Sequence, residues 1–276
     1  MPMKFGIAIF ATDRSIAVAE LVREVEARGF ESFWVPEHTH IPVSRLSPYP
    51  GGGELPDHYR RTLDPFVTLT VAATNSTTLL LGFGIVLMVE RDPISIAKAV
   101  ASLDVVSGGR VIFGVGGGWN REEMQNHGTD PRLRWRLLRE RVLAMREIWT
   151  RDEAEFHGEL VDFDRLWSWP KPLQERLPVY VGGNTDNSLK RVLEFGDGWI
   201  PNGGRPQLAS QIPAFRRLCE ESGRGPLPVT VYGTRPTPEA VEDYRALGVD
   251  RLVFWLPSTG RDDALAQLEK VTGLAQ

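Results

Sequence analysis

Two adjacent polar residues, Glu37 and His38, close a short apolar run in Trp34-Val35-Pro36-Glu37-His38-Thr39-His40. An imidazole changes charge near neutral pH, so a histidine at the end of a strand is suited to donate or remove a proton. The plainer alternative is a loop histidine satisfied by a backbone carbonyl; the strand-end position favours chemistry for His38 over His40. Glu37 is placed to orient the ring or to touch a cofactor. His38-Thr39-His40 also has the form of the first two ligands of a metal-dependent barrel, but that reading needs further ligands at later strand ends. The other histidines, His58, His127 and His157, end no strand.

Three glycine-bearing segments could admit a ligand. Gly82 and Gly84 interrupt the apolar run 79–87; glycine inside a strand marks a bulge, a tight barrel corner or the close approach of a ligand. Gly116-Gly117-Gly118 ends the run that begins at Val111 and leads into Trp119-Asn120-Arg121-Glu122-Glu123. Its spacing lacks the dinucleotide fingerprint, but its unhindered N–H groups can approach a phosphate or a cofactor chain. Gly182-Gly183-Asn184-Thr185 stands between a strand and a helix. Backbone donors and the helix dipole would make it an anion cradle, against the alternative of a simple tight turn.

These segments share one setting: each follows a short apolar strand. Strands are expected over 5–10, 33–35, 79–87, 111–115, 179–181, 198–200, 229–231 and 251–255, with helices between them, the first over 16–28. Asp64-Pro65, Asp92-Pro93 and Thr237-Pro238 each set a capping side chain before a proline at the first helical position, where its missing N–H is no loss. Alternating strands and helices give a parallel sheet, and eight such units in this length favour a closed (β/α)8 TIM barrel over an open doubly wound sheet. A single domain is expected, with insertions over 39–61 and 117–177. The second holds a helix over 134–150, a hairpin around 155–160 and the turn Trp169-Pro170-Lys171-Pro172. Both insertions follow strand C-termini, the face on which barrel enzymes build their sites.

With 42% apolar and 25% charged residues, the composition is that of a folded globular chain. A net charge of −4 offers nothing to nucleic acid or to an acidic membrane surface. The single cysteine, Cys219, cannot form an internal disulfide, and a reducing cytoplasmic setting fits it best. No export segment or apolar run of about 18 residues appears. The run 132–141 (RLRWRLLRER) reads as a solvated helix face, some of whose charges could meet an anionic cofactor tail.

FWVPEHTHIP, LGFGIVLMVERDPISIAKAVASLDVVSGGRVIFGVGGGWNREE and PVYVGGNTDNSLKRVLEFGDGWIP resemble the bacterial luciferase-like superfamily, and within it the branch of oxidoreductases dependent on the deazaflavin coenzyme F420. The resemblance runs from Met3 to about Pro201. It implies a barrel whose third strand carries a non-proline cis peptide at Gly84-Ile85, backing a tricyclic ring. It also implies His38 as the active-site histidine, Glu37 as its acidic neighbour, and Gly182, Gly183 and Gly116 to Gly118 around the cofactor's phosphate and chain. Trp119 stands where sugar-phosphate dehydrogenases of the superfamily carry an acid, which argues against a sugar phosphate and makes the pocket more apolar. The resemblance implies hydride transfer to or from a small organic molecule. Its rivals are an FMN-dependent monooxygenase using O₂ and a non-catalytic flavin-binding barrel. A homodimer is in keeping with the family. Trp34, Trp119, Trp167 and Trp169 could furnish apolar walls, although an aromatic in a barrel is more often core than wall, and the loop 42–61 is expected as a cover over the substrate.

Overall fold

Parallel pairing of short strands needs a crossover between each pair, and a helix that returns the chain to the same end of the sheet supplies it. The computed structural model, which describes residues 2–275, carries that logic to closure. In chain order its elements are β1 (Lys4–Ala8), α1 (Val18–Ala27), β2 (Ser32–Val35), α2 (Pro65–Thr74), β3 (Leu80–Phe83), β4 (Val86–Leu87), α3 (Pro93–Ser107), β5 (Val111–Gly116), α4 (Arg121–Asn126), α5 (Arg134–Thr150), β6 (Ala154–His157) and β7 (Asp162–Leu166). There follow β8 (Val179–Gly182), α6 (Asp186–Phe195), β9 (Gly198–Ile200), α7 (Leu208–Glu221), β10 (Thr230–Thr234), α8 (Pro238–Ala246), β11 (Arg251–Trp255) and α9 (Arg261–Thr272). The parallel order is β10-β11-β1-β2-β3-β5-β8-β9. Bridges Trp199–Val229 and Asn202–Tyr232 join β9 to β10, so the ring closes as a (β/α)8 barrel. The hairpin β6–β7 stands apart from it and spans more of the insertion than the sequence suggested.

The three proline-bearing caps form as expected. The Asp64 carboxylate accepts from the N–H of Phe66 and Val67, Asp92 from Ser95, and the Thr237 hydroxyl from Ala240. The first helix starts two residues later than expected, at Val18, because Ile16 is spent on the buried loop that enters it. No helix among the described residues is long and apolar enough to cross a membrane.

Two apolar layers hold the barrel. The larger lies between strands and helices; the smaller fills the barrel interior with Ala8, Trp34, Ile112, Tyr180, Ile200, Tyr232 and Val253. Trp34 belongs to this plug rather than to a pocket wall. It is fully buried, its Nε1 donates to Ser32 Oγ at 2.8 Å, and a Cβ at Gly82 would lie 2.1 Å from its ring. Gly82 is therefore glycine to admit an indole. Beneath it, Arg251 donates to both oxygens of Glu31, at 2.6 and 2.8 Å.

The expected strand over 79–87 is broken into β3 and β4. Gly82 pairs with Ile112, and pairing resumes at Val86 with Val115, so four steps on one strand face three on the other. The break contains the cis peptide Gly84-Ile85. Gly114 makes it possible, since a Cβ there would lie 1.9 Å from the Phe83 carbonyl oxygen. Of the two sequence readings for the glycine pair, Gly84 takes the bulge and Gly82 the tight packing.

The turn into β3 is pinned by Glu26 of α1, whose Oε1 accepts from the N–H groups of Thr77 and Thr78 at 2.8 and 2.6 Å. Partial burial raises the carboxyl's pKa, but these donors outweigh it and hold the group at about 2. A depressed carboxylate stabilises the fold above the ordinary carboxylate range and loses that contribution as pH falls through its folded value. Solvent screening limits the contribution to about 1 kcal/mol. Glu26→Gln should lower the urea-derived unfolding free energy by about that amount at neutral pH and flatten its decline from about pH 5 to 2; an unchanged slope would refute the assignment.

Candidate functional site

All the glycine-bearing segments meet at the C-terminal mouth of the barrel. They surround a cavity of about 820 Å³ lined by Pro36 to His38, Gly84, Ile85, Gly116 to Trp119, Gly182 to Thr185 and the β9–β11 ends. Its volume lies in the range of small-ligand and cofactor sites. Ile85 forms a ledge inside it: a Cβ at Gly116 would fall 2.6 Å from its Cδ1, and one at Gly182 would fall 3.2 Å from its Cγ2. Larger residues at 116 and 182 would crowd that ledge.

On one wall stands His38, its side chain almost wholly enclosed. Its Nδ1 lies 2.7 Å from Glu123 Oε2, and Glu123 Oε1 accepts from the N–H of Thr39 at 3.0 Å. With Glu123 ionised, Nδ1 is the donor, and Nε2 is the nitrogen left for a partner in the cavity. Glu123 is the acidic partner that sequence reasoning missed. Asn120 caps α4 by accepting from the Glu123 N–H at 3.4 Å, and the first helical turn carries that buried side chain back to the end of β2. The capping asparagine three residues before a glutamate was the only local signal.

Glu37, expected beside His38 as a catalytic or cofactor-contacting acid, takes a different place. Its carboxylate accepts from the Leu87 N–H at 2.6 Å and from Arg91 Nε at 2.5 Å, and Arg91 Nη2 donates to Asp64 at 2.8 Å. This chain fastens β2, β4 and the start of α2 together. Its residue lines the cavity, but its oxygens are spent on the frame.

Opposite, Gly183 has φ +125° and its Cβ position is taken by Ser188 Oγ at 2.5 Å. Thr185 caps α6 in a reciprocal box with Ser188. The backbone N–H groups of Gly183 and Asn184 thus lie at the rim beside the N-terminus of α6. The Asn184 side chain is not the cap; it brackets Asn202, accepting from its N–H at 3.0 Å and donating to its C=O at 2.9 Å.

The long loop after β2 lies over the mouth. Tyr49, Pro50, Gly51 and Tyr59 line the cavity, and Ser47 Oγ accepts from the Arg121 N–H at 3.1 Å. Trp119 meets His38 edge-on, with centroids 5.8 Å apart. Trp135 and Trp255 complete the aromatic walls; Trp167 and Trp169, expected there, are 78% and 57% exposed and line none of it. Trp135 lies in the arginine-rich run, which is thus not only a solvated face: Arg191 and Arg134 cover its ring, and Arg141 donates to the Met88 carbonyl at 2.6 Å. Cys219 is buried in α7, away from the mouth. No group of three or more described His, Cys, Asp or Glu residues could hold a metal ion.

Comparison with known proteins agrees with this geometry. The family model of luciferase-like monooxygenases matches residues 3–267. An uncharacterized protein of Mycobacterium tuberculosis is 40% identical over 274 residues, covering 98% of this chain and 97% of that one. The F420-dependent hydroxymycolic acid dehydrogenase of the same organism is 28% identical over 82% of this chain and 58% of its own. Among solved structures, the monooxygenase RslO1 of Streptomyces bottropensis superposes with a TM-score of 0.80 at 18% identity, covering 99% of this chain and 96% of that one.

If Glu37 is a frame residue, Glu37→Ala should lower the unfolding free energy by about 1–3 kcal/mol, because it leaves the buried Leu87 N–H without an acceptor and the half-buried Arg91 with Asp64 alone. Urea denaturation checks this, and a loss below about 1 kcal/mol would return Glu37 to the list of groups free for chemistry.

Proposed function

The chain belongs to the luciferase-like monooxygenase family, and from that premise we propose that it is an F420-dependent oxidoreductase passing a hydride between the deazaflavin and a small, largely apolar organic substrate. The observation that carries the reading is the Ile85 ledge, cleared by Gly116 and Gly182 and faced by a buried histidine. The residues fit such a cofactor. The Tyr232 hydroxyl is buried without a partner among the described residues and lies 2.6 Å from where a Cβ at Gly84 would be, so the cavity floor retains an unused polar group for a ring edge. Gly183 and Asn184 offer their N–H groups to a phosphate, and Gly116 to Gly118 border the chain between phosphate and ring. The F420-dependent relative favours the deazaflavin over FMN.

A bound deazaflavin supplies a ring carbon that accepts or gives the hydride, while the protein supplies position and proton traffic. His38 Nε2 takes or returns the proton that accompanies the hydride, and Glu123 fixes the tautomer that presents it. Tyr49, Tyr59 and the covering loop 42–61 keep water from the reacting face. Trp119, in contact with His38 and Tyr49, gives the substrate side an apolar wall.

Titration of the purified protein with F420 and with FMN, read by fluorescence quenching, should show saturable F420 binding and weaker FMN binding. His38→Ala should leave the F420 Kd within a few-fold and lower kcat by about 10²- to 10⁴-fold. Tight FMN binding without F420 binding would favour the oxygen-using chemistry, and an unaffected kcat would remove His38 from the reaction.

A further inference from the structure

Behind His38 lies a carboxyl group that the reading above does not use. Glu90 follows β4; its side chain is 1% exposed, and neither of its oxygens has a hydrogen-bond partner among the described residues. A buried carboxylate without donors is among the most costly groups a fold can hold. The charged groups around it make ionisation harder still. Glu123, from α4, and Glu37, from the end of β2, face it as anions, and only Arg91 on its own segment opposes them. Arg91 is already engaged by Glu37 and by Asp64 of the α2 cap, and Glu123 by His38. Burial first, then these two carboxylates, push the Glu90 carboxyl up to about 9.

A histidine at the surface lies beside this group. His127 Nε2, at the C-terminal end of α4, lies 3.8 Å from Glu90 Oε2 and 2.7 Å from Thr39 Oγ1, and the His127 residue is exposed. Thr39 Oγ1 also meets His40 Nδ1 at 2.9 Å, and Asn126 holds His40 Nε2 at 2.8 Å. Arg141 of α5 passes nearby, donating to the Met88 carbonyl. The cluster thus has a buried end at His38–Glu123 and an open end at His127.

We propose that Glu90 is a positioning residue for His38: a resident neutral carboxyl that adds no second negative charge to that of Glu123 beside the imidazole, and that exchanges its proton with solvent through His127. With Glu90 neutral, Glu37 is paired with Arg91 and Glu123 with His38. An ionised Glu90 would set a second carboxylate against Glu123 and disturb the Glu123–His38 contact that orients the ring. The proposal rests on His38 as the group that handles the proton, but it can be tested without cofactor or substrate, so its failure would leave the oxidoreductase reading standing.

The test is an NMR titration of the cofactor-free protein, following the glutamate carboxyl ¹³C and histidine ring ¹⁵N resonances. The Glu90 carboxyl should remain protonated at neutral pH and ionise at about pH 9, and the His38 ring signals should show a matching step. Glu90→Gln, which keeps the shape, should abolish that step. The same variant should raise the urea midpoint at pH 8 and leave it unchanged at pH 4: a raised carboxyl pKa costs stability only where the unfolded chain's carboxyl is ionised. Ionisation of Glu90 below pH 7, absence of the step in the wild type, or its survival in Glu90→Gln would each overturn the proposal; the wild-type titration decides even if the variant folds poorly.

Discussion

The mouth of this barrel depends on one close approach between two backbones. The carbonyl oxygen of Phe83 occupies the space that a side chain at position 114 would need, so β3 can lean over β5 only because Gly114 has none. The pairing of the two strands breaks there and resumes one residue out of step. That displacement sets Ile85 among Gly116 and Gly182, and it delivers the Leu87 N–H to Glu37. The ledge and the frame around it are consequences of the same irregularity.

The electrostatics of the mouth follow a division of labour among acids. Glu37 is consumed by Arg91 and a backbone donor, Glu123 by His38 and the Thr39 N–H. A buried ion pair is weak as a source of net stability but strict in geometry, because breaking it strands a charge. Here that strictness falls on the orientation of one imidazole. The apolar walls act in the same direction, since Tyr59 and Trp119 both pack against His38 and leave the ring little freedom to leave its place.

The architecture was legible in the sequence because its signals are local: capping residues before prolines, short apolar runs, and glycines at strand ends each act within a few residues. His38 and the rim glycines were visible for the same reason. Glu123 was not, since it lies 85 positions from His38 and neighbours Glu122, an equally plausible acid; only the turn of α4 decides which one faces inward. Arg91 and Glu90 stand in MVERDP, where the one local signal is the Asp92-Pro93 cap; their partners Glu37, Asp64 and His127 come from distant parts of the chain. Trp34, Trp167 and Trp169 mark the opposite failure. Their residue type suggested pocket walls, but strand alternation sends Trp34 into the barrel, and the turn at Pro170 leaves Trp167 and Trp169 outside it.

The central claim is that the rim left open by Gly116, Gly182 and Gly183 receives a planar redox ring and its phosphate. A crystal structure of the protein with F420 tests it most directly. The tricyclic ring is expected against Ile85, with the phosphate oxygens within hydrogen-bonding distance of the Gly183 and Asn184 N–H groups. F420 bound elsewhere, or Ile85 covered by neighbouring side chains in that crystal, would contradict it.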